Sequence, residues 1–227
     1  MSRQRHALVT GVSSGIGAAI ADHLLQQGWQ VTGFSRTSVQ NDHPAFTSVS
    51  VDLLDANLLK QALLALPKVD ALVHAAGMMA AAPLGELDEE QSARLWYLHV
   101  QVAEIMANVL QPQMTQGDRI LLVGSRTSRG AANRSQYVST KAAMVGMARS
   151  WAAELAPKGI TVNVIAPGAT ETPMLLQPGR ASSPPKLPPM GRYIKPQEVA
   201  ALAGFVLSPA ADAITGQELV ICGGASL

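Results

Sequence analysis

A single cysteine in 227 residues, Cys222, excludes an intramolecular disulfide and a structural zinc site built on thiolates, since each needs at least two. A reducing, cytoplasmic setting is expected. Charge of one sign is also missing. With 17 basic against 16 acidic residues the chain has a net charge of +1, which leaves no basic footprint for nucleic acid. No apolar run is long enough to span a bilayer, and Met1-Ser2-Arg3-Gln4-Arg5-His6 leads into a strand pattern without the apolar core of a signal peptide. No membrane partner is expected. The five histidines are scattered, none paired with a second ligand at helical spacing, so no metal site is expected. Composition shows no break, which argues for one domain over residues 1–227.

What the chain does have is a rhythm of short apolar runs alternating with longer segments of helical periodicity. The runs are Ala7-Leu8-Val9, Gln30 to Phe34, Ser48 to Val51, Ala71-Leu72-Val73, Ile120 to Val123, Thr161 to Ile165 and Leu219-Val220-Ile221. Such alternation predicts an α/β fold, a doubly wound parallel sheet of about seven strands with helices on both faces. One segment breaks the rhythm. From Gly168 to Gly191 six prolines exclude regular helix, and a long surface loop there is a candidate lid and substrate-binding element.

Thr10-Gly11-Val12-Ser13-Ser14-Gly15-Ile16-Gly17 follows the first run and opens a helical segment. Glycines at such a turn let backbone approach a pyrophosphate, and the free N–H groups of the helix start favour its charge. The alternative is an ordinary tight turn. After the second run, where a carboxylate would bind the ribose hydroxyls of NAD, the chain reads Phe34-Ser35-Arg36-Thr37. Arg36 and Ser35 suit a 2′-phosphate, so NADP(H) is the preferred cofactor and NAD(H) the alternative. The competing reading of Arg36 is a solvated surface arginine. Asp52, just after the third run, is placed either to reach the adenine amino group or to cap a helix.

Tyr137 and Lys141 stand four residues apart and share one helical face. A cation beside a phenol favours the phenolate, which makes tyrosine usable as a base near neutral pH. Ser125 follows the fifth run, at the sheet edge where parallel sheets bind ligands.

Taken in order, Thr10 to Gly17, Ser125, the Tyr137/Lys141 pair and Asn163-Val164-Ile165-Ala166-Pro167-Gly168 resemble the classical short-chain dehydrogenase/reductase family. The likeness extends through Arg192 to Ala200 and the closing Thr215-Gly216-Gln217…Gly223-Gly224, essentially the whole chain. It implies a single Rossmann-type domain and hydride transfer at the nicotinamide, with Tyr137 as general acid/base, Ser125 orienting the substrate oxygen and Lys141 holding the nicotinamide ribose. It further implies cofactor contacts from Thr10, Gly11, Ser13, Ser14, Gly15, Ile16, Gly17, Ser35, Arg36, Asp52, Leu53, Ala75, Ala76, Gly77, Tyr137, Lys141, Pro167, Gly168, Thr170 and Thr172. The family typically forms homotetramers through the helices around Leu95 to Val109 and Tyr137 to Leu155, with a second contact on the C-terminal strand, so a dimer or tetramer is expected.

Two positions depart from the family pattern. His74-Ala75-Ala76-Gly77 stands where Asn-Asn-Ala-Gly is usual, and His99 falls where the family carries a catalytic asparagine. His99 has two readings: a proton relay, since imidazole titrates near neutrality, or a packed, hydrogen-bonded core residue. Arg126, Arg129 and Arg134 cluster between Ser125 and Tyr137. Arg126 and Arg134 are candidate ligands for an acidic substrate of 3-oxoacyl or hydroxy-acid type; the alternative is solvated or interface arginines. The function expected is a carbonyl reductase or alcohol dehydrogenase acting on a small molecule. Its rival is a nucleotide-binding regulatory or structural protein on the same fold.

Overall fold

The computed structural model describes residues 3–176 and 183–227. Seven strands form one parallel sheet in the order β3-β2-β1-β4-β5-β6-β7: β1 His6–Thr10, β2 Gln30–Ser35, β3 Phe46–Ser50, β4 Ala71–His74, β5 Arg119–Val123, β6 Thr161–Pro167 and β7 Glu218–Ile221. The order reverses between β1 and β4, which opens a crevice at the carboxyl ends of those strands. The expected α/β Rossmann-type sheet is therefore the fold observed. The inner strands β1, β4, β5 and β6 are buried along their whole length, as a sheet covered on both faces requires.

Helices α1 Gly15–Gln26 and α6 Pro196–Leu207 cover one face of the sheet. There Ile20, Leu24, Val199 and Val206 pack with Val9, Val73 and Ile165. Helices α2 Ala56–Leu64, α4 Val102–Leu110 and α5 Ser135–Leu155 cover the other face, where Leu59, Met106, Leu110, Met144 and Ala148 pack with Leu8, Leu72 and Val164. Asp55 caps α2 through the N–H groups of Asn57 and Leu58, and Asp88 caps α3 Glu89–Trp96 through those of Glu90 and Gln91. Between α3 and α4 the chain makes a π-helical turn, Tyr97–Gln101, rather than breaking. No helix of the described residues is long and apolar enough to cross a membrane.

The proline-rich segment contains a 3-10 turn at Pro173–Leu176 and a parallel bridge from Thr170 to Ile194. Pro178 and Gly179 lie outside the described residues. Of the apolar C-terminal end, Cys222 is buried, while Val220 on the edge strand is 41% exposed and Leu227 fully so.

Candidate active site

The carboxyl ends of β1, β4, β5 and β6 border a groove whose two halves share Ile16, Ala75, Gly77, Met78 and Thr172. In the half nearer β2, Gly11, Ser13, Ser14, Gly15 and Gly17 form one side and Ser35, Arg36, Asp52 and Leu53 the other. Gly11 has φ +74°, and a Cβ there would lie 2.9 Å from the backbone of Ala76. A Cβ on Gly17 would sit 2.3 Å from the carbonyl oxygen of Gly11. Glycine at both places lets the turn fold against the start of α1. Ser14 caps that helix without a side-chain hydrogen bond, so the first-turn N–H groups keep their capacity for an anion.

Thr10 differs from its neighbours in the motif. It is fully buried and does not line the groove, because its hydroxyl accepts from the N–H groups of Ala75 and Ala76 at 3.1 and 3.0 Å. It ties the glycine turn to the end of β4. Arg36 is exposed at the groove's rim, and among the described residues no hydrogen bond or ion pair engages its guanidinium. Asp52 accepts from the N–H of Leu54 at 3.0 Å in a local turn; the cap of the following helix is Asp55.

The other half is a cavity of about 330 Å³ that brings together Ser125, Tyr137, Lys141 and His99 with Pro167, Gly168, Thr170 and Thr172. Ser125 is buried and accepts from the N–H of Thr127, which orders the 3-10 turn Arg126–Arg129 behind it. Lys141 donates to the Val123 carbonyl at 2.8 Å and contacts Met144 Sδ at 3.5 Å. An ammonium has three donors, so one remains for the cavity. Its nitrogen lies 5.7 Å from the centre of the Tyr137 ring. Burial lowers the Lys141 ammonium to about 7, because one carbonyl and a thioether replace only part of the water it loses.

Both histidines at the unusual positions are completely buried and their protons are assignable. The single hydroxyl proton of Thr140 goes to the Tyr137 carbonyl at 2.9 Å, so Thr140 must accept from His99 Nδ1–H at 2.8 Å. His99 Nε2 then accepts from the N–H of Met78 at 3.1 Å. Burial, reinforced by the charge of Lys141, holds His99 neutral by pushing its pKa well below the usual value. His74 donates from Nε2 to the Leu98 carbonyl at 2.9 Å, leaving Nδ1 to accept from Thr10 at 3.0 Å. Burial, with Lys141 second, lowers His74 to about 3. The π-turn belongs to this arrangement: Val102 N–H bonds to the Tyr97 carbonyl, and the Leu98 carbonyl faces His74. A Cβ on Gly77 would come within 3.2 Å of His99 Nε2 and 3.8 Å of Lys141 Nζ, so glycine lets this strand end close over both.

The three arginines after Ser125 separate. Arg126 and Arg134 line the cavity, and Arg129 pairs with Glu218 at 3.7 Å with its side chain 80% exposed. Met78, Met79 and Met174 also line the groove, and no spacing in the sequence marks them. Thr140 is a further participant that the sequence reading missed, although its place between Tyr137 and Lys141 on a helix that dips into the site was a signal.

A family model described as Enoyl-(Acyl carrier protein) reductase matches residues 11–226. The chain is similar to the NAD-dependent glycerol dehydrogenase of Listeria innocua, 32% identical over 96% of this chain and 92% of that one. It is likewise similar to the 3-oxoacyl-(acyl-carrier-protein) reductase of Vibrio cholerae, 32% identical over 96% of each. The solved structure of a blue fluorescent protein from a metagenomic library, in complex with NADPH, superposes with a TM-score of 0.86 at 28% identity, covering 98% of each chain. With the parallel sheet, the glycine turn and the Ser125/Tyr137/Lys141 cavity, these matches show that the chain belongs to the short-chain dehydrogenase/reductase family of nicotinamide-dependent oxidoreductases.

Proposed function

We propose that this chain is an NADP(H)-dependent oxidoreductase that interconverts a small carbonyl compound and its alcohol, in the direction of reduction. The observation that carries the reading is the meeting of Ser125, Tyr137 and Lys141 in one cavity continuous with a glycine-lined groove. A dinucleotide fits that groove: without a Cβ at Gly11 and Gly17 the turn closes tightly on its own backbone beside the start of α1, the first turn of that helix has free N–H groups, and Arg36 at the rim has no other partner among the described residues. When bound, the nicotinamide supplies the hydride.

The residues then divide the remaining work. Ser125 holds the substrate oxygen, and Tyr137 delivers the proton to that oxygen as the carbonyl carbon is reduced. Lys141, with one donor left, holds the ribose and favours the tyrosinate by its charge. Arg36 takes the 2′-phosphate, Ser35 shapes the turn beside it because its hydroxyl donates to the Thr37 carbonyl at 2.7 Å, Asp52 and Leu53 flank the adenine, and Thr170, Thr172, Pro167 and Gly168 wall the nicotinamide. We read Thr10, Ala75 and Ala76 as shaping that wall through their mutual hydrogen bonds, with Gly77 bringing the strand end over His99 and Lys141. His99 acts by position, because both its nitrogens are already engaged and its charge is suppressed. The described part of segment 168–191 contributes Leu175, Ser183 and Pro185 to the substrate side of the cavity. Dimers or tetramers form through the outer faces of α4 and α5, where Ile105, Val109 and Trp151 are half-buried.

The test is loss of NADPH or NADH absorbance across matched ketones, aldehydes and their alcohols. Turnover with a preference for NADPH is expected. A protein that is stabilised by NADPH but turns over nothing in a broad panel would be a nucleotide-binding regulator instead.

A further inference from the structure

Resting on the reading of this cavity as the substrate site, we propose that it takes a carbonyl compound bearing a carboxylate or phosphate, with Arg126 as the anion's ligand and Arg134 as the strut that holds the pocket wall. The chain as a whole is electrically balanced, with 17 basic and 16 acidic residues. The cavity is not. Arg126, Arg134, Lys141 and Lys186 line it, and among its described lining residues there is no aspartate or glutamate.

The three arginines after Ser125 are employed differently. Arg129 stands outside the cavity against the carboxylate of Glu218. Arg134 donates from Nε to the Ser183 hydroxyl at 2.7 Å and from Nη2 to the Ser183 carbonyl at 3.0 Å, fastening the start of α5 to the far wall. Arg126 is half-buried beside Ser125, and no hydrogen bond or ion pair engages it among the described residues. A guanidinium that has lost part of its water without gaining a partner is completed by an anion, and its planar fork matches carboxylate or phosphate oxygens two at a time. Lys186, exposed on the opposite wall, adds a second positive charge without fixed geometry. The nicotinamide would take part of this cavity of about 330 Å³, so the space left beside Arg126 suits a small molecule, and a short oxo acid or the phosphate ester of a short ketone is the class that fits.

The experiment compares kcat/KM with NADPH for oxo acids, their methyl esters and keto phosphates in the wild type, Arg126→Gln, Arg126→Lys, Arg134→Gln and Arg129→Gln. The wild type is expected to prefer one anionic series over the neutral esters, and which series wins distinguishes carboxylate from phosphate. Arg126→Gln should narrow the anion-to-ester ratio by about tenfold to a hundredfold, the range of a lost charge-assisted hydrogen bond. Arg126→Lys should recover part of it. Arg134→Gln should lower acid and ester alike, and Arg129→Gln should match the wild type. Turnover of acids and esters without discrimination overturns the anion site and leaves the oxidoreductase intact. So does discrimination lost in Arg134→Gln but kept in Arg126→Gln. Should no carbonyl turn over, the readout is the melting temperature of the NADPH-loaded protein in succinate or inorganic phosphate. A rise in the wild type that Arg126→Gln lacks supports the site; equal behaviour of the two overturns it.

Discussion

Replacing His99 by glutamine or by asparagine separates its two hydrogen bonds. The imidazole donates from Nδ1 to Thr140 and accepts at Nε2 from Met78. A glutamine amide oxygen reaches about where Nε2 sits, keeps the Met78 bond and gives up the donor to Thr140. Losing one neutral hydrogen bond costs about 1 kcal/mol, or about 2–4 °C in Tm for a chain of this size. An asparagine amide reaches only the Nδ1 position, so Thr140 keeps its donor and the Met78 N–H loses its acceptor. Leaving that donor unsatisfied costs about 1–3 kcal/mol. Met78 borders both halves of the groove, so His99→Asn should also raise the KM for NADPH and lower kcat more than His99→Gln does. Thermal melts and initial rates from about pH 5 to 9 read both effects. Burial and the charge of Lys141 hold the His99 pKa well below its usual value, so the pH profile of kcat/KM should keep its shape in both variants. An altered profile in His99→Gln at unchanged KM would refute the positioning role and restore His99 as a proton relay.

Lys141→Met should abolish turnover yet stabilise the cofactor-free protein at neutral pH, by up to about 5 kcal/mol, because it removes a buried ammonium. The folded pKa of about 7 lies below the ordinary 10.5, so between those values the unfolded chain holds more protons. Wild-type stability should therefore climb as pH rises through that window, and a variant melting curve with the same climb would contradict the assignment. Arg36→Ala should raise the KM for NADPH by about tenfold or more and leave NADH nearly untouched; equal losses with both cofactors would remove Arg36 from the 2′-phosphate.

The sheet was legible because its inner strands are buried on both faces and read as unbroken apolar runs. The apolar pattern puts β3 at Ser48 to Val51 instead of Phe46–Ser50, because at the sheet's edge its residues are only half-buried or exposed and carry little apolar signal. Ser125, Tyr137 and Lys141 could be found from order and spacing alone. The π-turn was hidden, since one extra residue inside a continuous helical pattern leaves the apolar periodicity nearly unchanged. Thr10 reads as a cofactor contact until its distant partners, Ala75 and Ala76, are seen to occupy its hydroxyl. The arginines were indistinguishable for the same reason: Ser183 lies 49 residues from Arg134, and Glu218 is farther still from Arg129.

Tyr137→Phe tests the proposed chemistry most directly, because it removes one oxygen and preserves the ring that packs edge-on to His99 at 5.7 Å. NADPH should raise the melting temperature of the variant as it does the wild type, while single-turnover oxidation of NADPH by the best carbonyl substrate falls by about 10²- to 10⁴-fold. A variant that binds NADPH and reduces that substrate within about tenfold of the wild-type rate would contradict proton transfer from Tyr137.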